Sequence, residues 1–114
     1  MKYYDEQQMG EMRAAFEALV MAWPDVSTRK MFGCPSYRAQ GHLFAVILTG
    51  SLVLTQLPPE VRQALPPELG ATAFTAGPRT VLKWAQIPVS RPADLEPLLS
   101  FTELSYRTAL GSVD

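Results

Sequence analysis

The chain has 114 residues, 47% of them hydrophobic and 18% charged, with a net charge of −1. That length suits one domain with a single core, and that balance excludes both a disordered chain and a polybasic or polyacidic one. The lone cysteine excludes an internal disulfide and a multi-cysteine zinc site.

The opening stretch "MKYYDEQQMG" lacks the apolar core of a secretory signal, and the longest apolar run, "LFAVIL", is too short to span a bilayer. The expectation is a cytoplasmic protein with no membrane contact. Residues 5–22 then read as an amphipathic helix, because Met9, Met12, Phe16, Leu19, Val20 and Trp23 recur at spacings of three and four. Asp5 and Glu6 favour its positive end, and Pro24 and Asp25 stop it.

From Val26 to Leu57 the period shortens. "RKMF", "HLFAVIL" and "SLVLTQL" predict a three-stranded antiparallel meander, turned at "RAQGH" and "LTGS". "HLFAVIL" is apolar at nearly every position and is placed centrally, with cover on much of both faces. "SLVLTQL" alternates better and is expected to keep one wetter face. "PPEVRQALPP" predicts a short helix between proline pairs.

"ATAFTAGPRT" predicts a fourth strand with a Gly77-Pro78 turn, and "TVLKWAQIP" a fifth. Strict alternation in the fifth puts Val81, Lys83, Ala85 and Ile87 on one side and Leu82, Trp84 and Gln86 on the other. The last helix is expected from Asp94 as N-cap, with Pro97 tolerated in its first turn. Leu98, Leu99, Thr102, Tyr106 and Leu110 form its apolar stripe, and Gly111 stops it. The order α-β-β-β-α-β-β-α implies an α+β two-layer domain: a five-stranded, mainly antiparallel sheet with helices mainly on one face.

The segment "MFGCPSYRAQGHLFAVILTGSLVL" resembles the TfoX/Sxy N-terminal domain family. The resemblance rests on Met31-Phe32-Gly33, Gly41, Phe44-Ala45, the Thr49-Gly50-Ser51 turn and Leu52-Val53-Leu54. It continues through Phe74, Trp84 and Pro88 and covers roughly residues 8–110. "Met-Phe-Gly-Cys-Pro-Ser" looks like a subgroup that stands alone as a small protein. The resemblance implies a secretion-chaperone-like α/β fold and a non-enzymatic regulatory or accessory role through protein contact, with a homodimer expected. The named members regulate natural competence in bacteria and carry a second, helical C-terminal domain. The expectation for residues 1–114 is the N-terminal-like domain alone, without that helical domain. The family supplies no catalytic residues to carry over.

Among the residues themselves, Cys34 and His42 are the candidate thiol–base pair, either for a small enzyme or for a redox switch. No third group is evident to orient the histidine, and no second cysteine exists to resolve an oxidised thiol. Met31-Phe32-Gly33 reads as architecture: Gly33 permits a bulge or close backbone approach, and Phe32 anchors the sheet against a helix. No carboxylate pair, nucleophile motif, phosphate loop or metal spacing stands out, so neither a cofactor nor a metal is expected.

Charge is more informative. Residues 26–59 and 69–93 contain Arg29, Lys30, Arg38, Arg79, Lys83 and Arg91 and no acid. All eleven acids lie elsewhere, with only Lys2, Arg13, Arg62 and Arg107. A sheet built from those two segments is expected to have a basic open face or basic edges, with Arg29, Lys30, Arg38, Arg79 and Lys83 as candidate binding residues; the alternative is that edge cations only discourage aggregation, and alternation puts Arg29 and Lys30 on opposite faces. Such a surface suits an acidic protein partner or a second subunit, and nucleic acid less well, since the aromatics do not interleave with the cations.

Overall fold

A computed structural model of the chain describes residues 3–111. Helix α1 (Glu6–Val20) opens the fold, and the Asp5 side chain caps it by accepting from the Gln7 N–H at 3.0 Å. Four strands follow: β1 (Val26–Met31), β2 (Cys34–Ala39), β3 (His42–Leu48) and β4 (Ser51–Leu54). A short helix α2 (Pro59–Gln63) and a 3₁₀ turn (Pro67–Leu69) lead to β5 (Thr72–Ala76) and β6 (Arg79–Pro88). A second 3₁₀ segment (Pro92–Leu98) runs into α3 (Leu99–Leu110). The six strands form one antiparallel sheet in the order β1-β2-β3-β4-β6-β5.

The α+β class and one-sided helical cover match the sequence reading; the strand count does not. The extra strand is β2, "CPSYRA", concealed by Pro35 and Ser36, which have low strand propensity. It follows a two-residue turn at Phe32-Gly33, since Met31 pairs with Cys34. Both turn residues have positive φ, 55° and 79°, as the tightest hairpins require. Gly33 is therefore a turn residue and not a bulge. Gln40-Gly41 makes the next turn in the same way, at φ 51° and 85°.

The bulge lies one hairpin further on. Tyr37 pairs with Ala45 and Arg38 with Leu43, which leaves Phe44 unopposed. Its ring turns to the helices, with centroids 6.4 Å from Trp23 and 5.6 Å from Tyr106. Its carbonyl accepts from the Thr55 N–H at 3.1 Å and the Ser105 hydroxyl at 2.7 Å. The bulge thus ties α3 to the sheet with the Phe44 carbonyl doubly satisfied, while Arg38 Nε beside it is buried without a hydrogen-bond partner among the described residues.

Two apolar clusters lie on opposite faces. On the helical face Met9, Met12, Phe16 and Val20 of α1 meet Tyr37, Ile47, Leu52, Leu54 and Ile87, together with Tyr106 and Ala109 of α3. The Tyr37 hydroxyl, fully buried, donates to Glu17 at 2.7 Å, and burial first, then that bond, raises its pKa. On the other face Cys34, Val46, Leu48 and Val53 cluster with Tyr3, Phe74 and Trp84. So β3 is covered on both faces as expected, but β4 is too: all four of its residues are buried, not just one side.

Three local expectations also change. Asp94 is not an N-cap but reaches back from inside the 3₁₀ segment. Its carboxylate accepts from the Ser90 and Arg91 N–H groups, which hold its pKa down. Gly111 ends α3 at φ −82°, so it uses none of glycine's left-handed freedom. Leu19 and Leu99, assigned to apolar stripes, are exposed, at 39% and 38%. No helix among the described residues is long and apolar enough to cross a membrane.

Candidate functional site

The sheet face away from the helices carries an apolar groove of about 380 Å³. Val46, Leu48 and Val53 form its floor, and they face this side because β3 and β4 alternate. Met31 and Cys34, beside the β1–β2 turn, form one wall. Phe74 and Trp84 form the other, their ring centroids 5.4 Å apart. Tyr3 lies across one end. The segment around it is anchored to the β3–β4 turn, where the Thr49 N–H donates to the Tyr3 carbonyl at 2.9 Å.

The second wall depends on an irregularity. Between Ala73 and Phe74 the pairing slips: Ala73 faces Ala85, but Phe74 faces Val81. Val81 and Trp84, three apart, therefore line the same groove, which strict alternation forbids. Lys83 lies in the slipped stretch, exposed and outside the groove lining.

Phe32 stands at the groove's edge. It is 84% exposed and holds a left-handed backbone conformation at φ 55°. The expectation that it anchors the sheet against a helix fails, since it projects from the turn. A bulky aromatic here incurs strain of about 1 kcal/mol and gains no packing in return.

Cys34 is 1% exposed, and its thiol donates only a long 3.8 Å bond to the Phe32 carbonyl. Burial raises its pKa, which keeps it a protonated thiol near neutrality. His42 pairs with Ala39 at the far end of the β2–β3 hairpin. The length of β2, roughly 16 Å at ~3.3 Å per residue, separates it from Cys34. The structure does not bring the pair together. Among the described residues no three of His, Cys, Asp and Glu gather closely enough to hold a metal.

The predicted basic residues do not share one patch. Arg29 and Met31 lie on the groove face, whereas Lys30 lies on the helical face, where its charge reaches Glu6. Arg38 sends a guanidinium N–H to the Gly41 carbonyl at 3.4 Å, near the other end of the strand. Arg79 is the one charged residue in the groove lining. None of these five forms an ion pair among the described residues. The pairs found there are Arg13 with Glu6 and Glu17, Arg91 with Asp94, and Arg107 with Glu103.

The other residues of the sequence motif are structural. Gly41 turns a hairpin, Phe44 fills the helical core, and Pro88 ends β6 opposite Ser51. A second cleft, about 410 Å³ and shallower, lies between Pro88 and Asp94, but the Asp94 carboxylate there is already committed to backbone N–H groups. Sequence reasoning had no groove in view, although one signal was present. "LFAVIL" needs cover on two faces, and helices on one side cannot supply both. No protein-family model, curated protein or solved structure matches the chain.

Proposed function

We propose that the chain is a non-enzymatic interaction domain of regulatory or accessory kind, working through the groove face of its sheet on a protein partner, in the first instance a second copy of itself. The observation that carries this is Phe32. It breaks local backbone preference and buries nothing within its own chain, and such a conflict is the mark of a residue kept for an external contact. A knob and a groove on one face are self-complementary, as a two-fold dimer needs. The resemblance of Met31-Phe32-Gly33 to the TfoX/Sxy N-terminal domain, with its secretion-chaperone-like fold and its competence regulators, is in keeping with this role. Cys34 argues against the thiol-enzyme alternative, because a nucleophile needs a lowered pKa and a base within reach.

The test is sedimentation of wild type against Phe32→Asn. Asparagine tolerates the left-handed conformation, so the variant should fold at least as stably. Self-association by the wild type that Phe32→Asn abolishes is the expected result. Monomers at every concentration, or dimers indifferent to Phe32, overturn it.

A further inference from the structure

The groove has the features of a small-molecule site as well as those of a contact surface. Its volume of about 380 Å³ falls within the range of about 300–1,000 Å³ that such sites occupy. Its floor is aliphatic and its far wall is a pair of aromatic rings. Ser36 and Ser51, the buried hydroxyl residues on this face, are already engaged: Ser36 donates to the Arg29 carbonyl at 2.6 Å, and Ser51 accepts from Gln86 at 3.0 Å. Inside the groove, then, little is left to hydrogen-bond a polar ligand.

One charge stands apart. Arg79, first residue of β6 after the Gly77-Pro78 turn, lines the groove and is exposed. It has no ion pair among the described residues, and no acid occurs between positions 69 and 93. An apolar trough with a single unpaired cation selects by two criteria at once. The body of the ligand must be hydrophobic, to gain from burial against Phe74, Val81 and Trp84, the partly exposed apolar residues of the lining. Its head must be anionic and end near Arg79. A cationic head is disfavoured at the same place.

The geometry points to a binding site for a small amphiphilic anion, its apolar body along Phe74 and Trp84 and its carboxylate at Arg79. This rests on the groove face being the working face and adds a ligand to it; association through Phe32 is measured without any ligand, so the two stand or fall separately.

Trp84 is the natural reporter. Only Trp23 competes with it, and Trp23→Phe leaves Trp84 as the sole tryptophan. The titrants are decanoate, decanol and decyltrimethylammonium, each kept below its micelle-forming concentration. The expected result is a saturable change in Trp84 emission with decanoate, at an affinity about fivefold or more above the cation. Arg79→Gln should remove that preference and leave decanol binding unchanged. No saturable response overturns the proposal. So do equal affinities for the three probes, or a preference that survives Arg79→Gln. Should Trp23→Phe not fold, the indole N–H resonance of Trp84 in the wild-type protein gives the same readout.

Discussion

The two faces of the sheet use the same strands and reach different ends. On the helical face the core aromatics find partners within the chain: Phe44 meets Trp23 and Tyr106, Phe16 meets Tyr37 at 5.0 Å, and the Tyr106 hydroxyl donates to the Pro24 carbonyl at 2.7 Å. On the groove face Val46 and Val53 are equally buried, but the side chains around them are not. Tyr3, Phe74 and Trp84 are only half-buried, and Phe32 beside them is open to water. The first face completes a fold. The second keeps apolar surface available and, in Arg79, a groove-lining cation with no ion pair among the described residues, which is why the function is sought there.

Truncation breaks the comparison most strongly. Phe44→Ala should cost about 3–5 kcal/mol of unfolding free energy, because it opens a cavity where α3 meets the bulge. Trp84→Ala, on the groove face, should cost less than about 2 kcal/mol, since its ring is only partly covered. Urea unfolding of both variants checks this, and equal losses would erase the distinction between the faces. Next in size is Ser105→Ala. It removes a donor to the Phe44 carbonyl and the acceptor of the Gln56 N–H, and should cost about 1–3 kcal/mol in the same assay.

Thiol chemistry sharpens the comparison from the other side. Burial raises the Cys34 pKa, so alkylation should be slow in the folded protein, with a midpoint above that of a free thiol, and should recover in urea. Fast alkylation at neutral pH would mean that the groove wall opens. The smallest effect belongs to Glu6, at the start of α1. Hydrogen bonds from Arg13 and then Tyr4 bring its pKa down to about 2. A lowered carboxylate contributes stability above its ordinary pKa and loses it as pH falls through the folded value. Wild type should therefore lose a little more stability than Glu6→Gln between the ordinary carboxylate range and about 2. The pair is exposed, so the difference is slight.

Much of the helical face was legible in the sequence, because its signals are periodic and local. Met9, Met12, Phe16 and Val20 follow a 3.6-residue period, and all four are buried. The groove was not legible, for two physical reasons. Strand β2 hides behind Pro35 and Ser36. The far wall depends on a slip in pairing between β5 and β6, which no alternation rule anticipates. Phe32 was read as an anchor because aromatics are usually buried, and the positive φ that turns it outward comes from the turn. The acid-free segments were visible from composition. Alternation alone also sends Arg29 and Lys30 to opposite faces, as the register has them; the separation of Arg38 and Lys83 from the groove depends on the bulge and the slip.

The strand order also governs how the chain assembles in time. The first four strands meet through hairpins of two-residue turns, so their pairing closes only small loops. Strand β6 must return beside β4 after α2, a 3₁₀ turn and β5 have intervened, a slower and more distant search. Loop-closure entropy therefore favours forming the floor of the groove, in the meander, ahead of its aromatic wall. In hydrogen exchange under native conditions, amides of β5 should be released at lower free energy than those of β3, so that the wall comes away while the floor stays folded.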